Sequence, residues 1–160
     1  MVKDVPLSEI TLRKYERPYE SSKRELVRKV CLSLGLLQPG DSRDVVVDIL
    51  MVLENSRKDR MELTSVEIQE KVRETRERNS LGTVGLAESN IRRQLKRLRD
   101  LMLVDKRSNL YKLSEFESLS NIFEEKINNF LIPQTTERIN EECEVSISCR
   151  LIINYRIPHT

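Results

Sequence analysis

The sequence predicts a mainly α-helical protein carrying one small β-ribbon. Residues 86–104, LAESNIRRQLKRLRDLMLV, wind into a helix with Ile91, Leu95, Leu98 and Met102 on one narrow stripe and Leu101 at its edge, at about 100° per residue. Leu103-Val104 and the DKRSNLYKLS that follows read as a short two-stranded ribbon. Helix starts are marked by Ser or Thr with Glu three residues on, at Ser22/Glu25, Thr64/Glu67 and Ser114/Glu117. In such a capping box each side chain satisfies the other residue's orphan backbone amide.

The remaining elements follow in chain order. Residues 1–20 hold two prolines and no sustained period, so they are expected to form an extended arm packing through Leu7, Ile10, Leu12, Tyr15 and Tyr19. Ser22 to Leu34 reads as a helix with Leu26, Val27, Val30, Cys31 and Leu34 inward, and Gly35 ends it. QPGD is a turn, and Asp41 is the expected N-cap of a helix over 42–55. Its run VVVDILMVL is apolar almost all round, which makes it the most buried helix. Met61-Glu62-Leu63 fits a short strand pairing with the later ribbon. Helix 65–78 shows only Val66, Ile68 and Val72 as an apolar seam and lies across the surface. NSLGTVG joins it to the basic helix as a plain loop, since its GxxG lacks the βααβ flanks of the RNA-binding fold that uses one.

A long helix is expected over 115–131, with Phe116, Leu119, Phe123, Ile127 and Phe130 as a coiled-coil-like seam, ended by Pro133. That seam docks on its own domain or pairs two copies; the expectation is a homodimer. Residues 134–143 form at most a short helix. From 145 to 157 the odd positions Val145, Ile147, Cys149, Leu151, Ile153, Tyr155 and Ile157 are apolar, which fits a half-buried strand. The units are thus 1–40, an arm and helix; 41–113, the central domain; 114–133, the long helix; and 134–160, a tail.

Composition narrows the function. With 38% hydrophobic and 34% charged residues, the 160-residue chain supports one packed domain with appendages. Net charge is only +2, so positive charge bears on function only where it concentrates. It does so in residues 88–112, which hold eight Lys/Arg against three acids. The three cysteines are widely spaced, there is no CxxC, and the single His is His159. No zinc site and no disulfide framework is expected, and Cys31 reads as a small hydrophobe. No GxGxxG, GxxxxGK[ST] or HExxH is present. The expectation is therefore no enzyme and no cofactor. Nothing approaches the roughly 20 apolar residues of a membrane span, which fits a cytoplasmic protein.

SNIRRQLKRLRDLMLV resembles the recognition helix of winged helix-turn-helix transcriptional regulators of bacteria and archaea. The shared pattern is a polar start, apolar residues at Ile91, Leu95 and Leu98, and a hydrophobic pair entering the wing. The element order is similar too: buried helix 42–55, strand 61–63, surface helix 65–78, recognition helix 88–102 and wing 103–113. Such regulators usually have Gly before the final pair, where this chain has Met102. The resemblance covers residues 41–131 and implies sequence-specific binding of double-stranded DNA, with the long helix after the wing as a dimerisation helix. On the physical reading, Ser89, Asn90 and Arg93 reach base edges, Arg being suited to guanine and Asn to adenine. Arg92, Lys96 and Arg97 are placed for phosphates, and Lys106, Arg107 and Lys112 put the wing on the backbone or minor groove. The alternative is a winged-helix module that binds an acidic protein within a larger assembly. An RNA ligand fits less well, because no aromatic residue interleaves with the basic helix.

Overall fold

The structure, a computed structural model, describes residues 4–154. It is mainly helical with a small three-stranded antiparallel sheet. The order is α1 (Lys23–Ser33), α2 (Val45–Lys58), β1 (Leu63–Thr64), α3 (Ser65–Arg78), α4 (Glu88–Asp100), β2 (Val104–Arg107) and β3 (Leu110–Leu113). A 3₁₀ turn, Ser114–Phe116, leads into α5 (Leu119–Ile122), a π-helix (Phe123–Leu131) and α6 (Ile132–Asn154). The sheet order is β1-β3-β2, with Leu63 opposite Tyr111 and Val104 opposite Leu113.

The core forms around α2, where Val45 to Leu50 are all buried, as the unbroken apolar run predicts. Ile68 and Val72 of α3 and Ile91, Leu95 and Leu98 of α4 pack on it, with Leu113 closing the sheet side. Val66 points outward, so the α3 seam is narrower than expected. Thr64 and Glu67 form the full capping box: Thr64 Oγ1 accepts from the Glu67 amide, and Glu67 accepts from the Thr64 amide at 2.7 Å. The Thr64 backbone and side-chain hydrogen bonds hold the Glu67 carboxyl below its ordinary value. At α1 the Ser22 oxygen accepts from the Glu25 amide. Gly35, at φ +73°, turns the chain so that Leu36 N–H reaches Cys31 C=O at 2.9 Å. A Cβ at Gly35 would lie 2.6 Å from Thr11 Cβ, where the arm crosses. Cys31 is fully buried, and desolvation pushes its thiol up to about 12, which keeps it neutral as a small hydrophobe should be.

Inside this shell lies an ionic cluster that hydropathy does not reveal. Asp48, on the buried face of α2, accepts from Arg24 of α1 at 3.0 and 3.1 Å and from Arg76 of α3. Asp44 accepts from the same two arginines at 2.8 and 3.1 Å. Arg76 also donates through Nε to Gly82 C=O at 2.6 Å, tying the loop before α4 into the cluster. Burial pushes the Asp44 carboxyl up, but the hydrogen bonds from Arg24 and Arg76 outweigh it and hold it below its ordinary value. The Asp48 carboxylate in turn holds Arg24 more firmly protonated, against its own desolvation. Among the described residues no buried side-chain nitrogen or oxygen lacks a partner.

Several expectations are corrected. Helix α2 starts at Val45, not Ser42, because Asp41 accepts from the Arg43 amide at 2.9 Å in a turn of its own. Asp44, at the cap position, spends its carboxylate on the arginines. Of the expected arm contacts only Ile10 packs on the core; Leu7, Leu12, Tyr15 and Tyr19 are exposed. The arm is fixed by Arg13 instead, whose guanidinium donates to Leu32 and Leu37 carbonyls at 2.9 and 3.1 Å.

Ser114 and Glu117 form no capping box. Glu115 and Phe116 take left-handed backbone angles, φ 54° and 56°, so no helix starts there. Ser118 caps the later start, its oxygen accepting from the Asn121 amide at 3.3 Å. Nor does Pro133 stop the helix. The wider π-turn ends just before it, with Ile132 N–H bonded to Ile127 C=O. An ordinary α-turn there would press the proline ring on the carbonyl four residues back. Thr135 and Thr136 hydroxyls then donate to the Leu131 and Ile132 carbonyls.

The strand expected over 145–157 is helix as far as Asn154; 155–157 lie outside the described residues. A lone strand has no ladder partner, whereas a helix satisfies its own backbone groups.

Replacing Asp48 with Ala leaves two arginines facing each other in the interior. The expected loss is about 3–5 kcal/mol in urea unfolding. For Asp44 the depressed folded value means its contribution is complete above about pH 4 and is lost as pH falls further. Asp44→Asn should therefore flatten the stability-versus-pH curve below that point, and an unchanged acid limb contradicts the cluster's role.

Candidate nucleic-acid interface

Helix α4 has three sides. Ile91, Leu95 and Leu98 are buried. Ser89, Arg92, Arg93, Lys96 and Arg99 form an exposed arc on the outer side, with Asp100 at its C-terminal end. Between them runs a flank of half-buried Asn90, Gln94 and Arg97.

This flank serves the fold. Asn90 donates through Nδ2 to Gly85 C=O at 2.7 Å, and its Oδ1 accepts from Arg93 at 2.7 Å. Gly85 sits at φ +92°, an angle L side chains rarely adopt, and a Cβ there would crowd Val45 at 3.2 Å and Asn90 at 3.3 Å. Arg97 reaches the other way, to Gln94 Oε1 at 2.9 Å and to Gly35 C=O at 3.0 Å beyond the end of α1. Both residues, expected to contact base and phosphate, thus spend their hydrogen-bonding groups inside the chain.

The outer arc is differently engaged. Arg92 pairs with Glu88 at 2.6 Å and Lys96 with Asp100 at 3.3 Å, both exposed pairs one helical turn apart. Such pairs are worth at most about 1 kcal/mol, so a phosphate can replace the carboxylate. Arg93 has one hydrogen bond, to Asn90, and is otherwise exposed. Arg99, one of the eight cations of residues 88–112 but not among the expected DNA contacts, belongs to this surface as well.

The ribbon follows at once. Leu103 N–H bonds Leu98 C=O at 3.0 Å and Met102 N–H bonds Arg99 C=O at 2.9 Å, a double closure that turns the chain from α4 into β2. Met102 sits at φ +60°, the left-handed angle that Gly adopts without cost. Lys106 is paired in register with Tyr111, its ammonium 5.6 Å from the ring centroid. Lys106 borders, with Lys96 and Arg99 of α4, one cleft of about 530 Å³. Lys126 of the π-helix lines it too, held by Glu115 at 3.2 Å. Arg107 is exposed at the ribbon tip. Lys112 lies apart from this cleft, 3.6 Å from Glu62 and 4.5 Å from the centroid of Phe116.

Of the residues expected to line a dimer seam, Ile127 is fully buried in the chain's own core, alongside Ile122 and Leu131. The interval of five from Ile122 to Ile127 is the one a π-turn brings onto one face, so a 3,4 reading of the sequence splits this stripe. Phe116 sits under Lys112 and Arg60, Leu119 is partly buried, and Phe123 and Phe130 stay exposed.

Among the described residues no group of three His, Cys, Asp or Glu is arranged to hold a metal ion, and no helix is long and apolar enough to cross a membrane. The chain matches no protein-family model, no curated protein and no solved structure.

The division of α4 predicts two kinds of variant. Arg97→Met, which frees the Gly35 carbonyl, is expected to lower unfolding stability by about 1–2 kcal/mol. Ser89→Ala and Lys96→Ala should stay within about 0.5 kcal/mol of the unaltered chain. Equal losses in all three would erase the distinction between inner flank and outer arc.

Proposed function

We propose that the chain is a sequence-specific binder of double-stranded DNA, a winged helix-turn-helix transcriptional regulator that reads the major groove with α4. The observation that carries this reading is a cationic arc beside the ribbon. Arg92, Arg93, Lys96 and Arg99 line the outer side of α4, and Lys96 and Arg99 share a cleft with Lys106 of β2 and with Lys126. In that cleft Asp100 and Glu115 pair with Lys96 and Lys126, and Asp105 accepts from the Glu115 amide. The element order α2-β1-α3-α4-β2-β3 and the ladder order β1-β3-β2 support the winged-helix assignment.

On this reading Ser89 and Arg93, near the N-terminal end of α4, contact base edges, as in the helix-turn-helix docking mode. Arg92, Lys96, Arg99, Lys106 and Arg107 take phosphates, which fix register without sequence choice. Asn90 acts by orienting Arg93 rather than by touching adenine. On this reading the protein is cytoplasmic.

The test is selection of bound duplexes from a random pool, followed by substitution. Arg93→Ala should relax preference at one base pair, a change of about 1–3 kcal/mol, while Arg99→Ala weakens selected and random duplexes alike. A pool that yields no preferred sequence contradicts specific readout. Binding of an acidic protein in place of DNA would transfer the same basic face to an assembly role.

A further inference from the structure

A second surface lies away from the basic arc. The arm, α1 and the start of the long helix enclose a groove of about 610 Å³ lined chiefly by Tyr15, Leu26, Val30, Leu34, Leu119 and Phe123. Four of these stand partly open to solvent, Tyr15 at 39%, Leu26 and Val30 at 38% and Phe123 at 37%. Convergent exposed apolar side chains of this size mark a binding surface more often than chance. Arg17, Lys29 and Glu16 sit on its rim, a net positive border.

Helix α6 has the complementary character. It leaves the body as a continuation of the π-helix, its principal contact. Ile139, Val145 and Ile147 are 52%, 63% and 60% exposed. Its first half carries Glu137, Glu141, Glu142 and Glu144 against Arg138, which pairs with Glu141 at 3.1 Å, and its second half adds Arg150, so the helix is net acidic. Helices in proteins owe most of their stability to a packed face, and α6 has none beyond its first turns.

We infer that the groove receives α6 of a second copy, so that two chains exchange their C-terminal helices around a two-fold axis. Acidic helix meets basic rim, and exposed Ile139 meets exposed Leu26, Val30 and Phe123. The groove wall and the helix belong to one continuous rod, and this permits the exchange. Phe123 and Ile139 lie equally far from Leu131 along the chain, as do Leu119 and Cys143. An antiparallel pairing centred near Leu131 sets the partner's Ile139 opposite Phe123 and the partner's Cys143 opposite Leu119. The contact is isologous, so two grooves and two helices are buried at once, toward the roughly 1,600 Å² of a stable interface. This assembly does not rest on the DNA reading, and it replaces a seam through the buried Ile127.

Light scattering on the full chain at micromolar concentration should give a dimer. The double substitution Ile139→Asp with Ile147→Asp removes side chains exposed in the single chain, so it should yield a folded monomer that still melts cooperatively, at the temperature the unaltered chain reaches on dilution. In a Cys149→Ser background, Ser120→Cys, on the groove wall, should form covalent dimers with the partner's Cys143 under mild oxidation, lost when Cys143→Ser is added. A monomeric unaltered chain overturns the proposal. So does a dimer that survives the double Asp substitution, which would place the interface elsewhere. A dimer abolished by those substitutions but never cross-linked at Ser120 overturns the groove as the seat of α6.

Discussion

Asp48 is the constraint on which the arrangement depends. It is a fully buried carboxylate on the most apolar helix of the chain, and two arginines from two other helices must reach it. A buried charge without partners is too costly to keep, so α1 and α3 can dock on α2 only at the places that bring Arg24 and Arg76 together. Asp44, one turn earlier, repeats the demand. Through its bond to Gly82, Arg76 also fixes the loop that delivers α4. Core packing would tolerate several ways of stacking apolar helices, whereas this cluster admits few.

From that fixed loop the presentation of the basic face follows. Gly85 passes against Val45, Asn90 clasps the Gly85 carbonyl, and Arg97 clasps the Gly35 carbonyl, so α4 is held on its inner flank at both ends. The helix backbone is thereby fixed with Arg93, Lys96 and Arg99 on its outer side. The closure through Met102 and Leu103 then sets Lys106 beside them. Such a fixed backbone removes one ordering cost from any binding at this face, while the exposed side chains keep theirs.

What was legible in the sequence was whatever depends on period and local chemistry. The α4 stripe at Ile91, Leu95 and Leu98, the Thr64/Glu67 box and the Gly35 cap all come from neighbours within a few residues or from a strong repeat. The left-handed turn at Met102 was not legible in this way, since Met in place of the usual Gly argued against so tight a turn. What escaped depends on distant partners. Asp48 reads as an interruption in VVVDILMVL, and nothing local joins it to Arg24 or Arg76. Arg97 reads as one more cation until Gly35 arrives beside it. The π-turn before Pro133 shifts the buried stripe to Ile122 and Ile127, an interval that 3,4 counting cannot find. The period-two tail has the pattern of a strand without a strand to pair with, and the backbone settles into helix.

The most direct test of the basic face is the salt dependence of binding to random duplex DNA, followed by fluorescence anisotropy at about 50 and about 200 mM salt. If Arg92, Arg93, Lys96, Arg99, Lys106 and Arg107 each neutralise a phosphate, affinity should fall roughly 10³-fold between the two. No binding at the lower salt, or binding indifferent to salt, would contradict the assignment of this face to DNA.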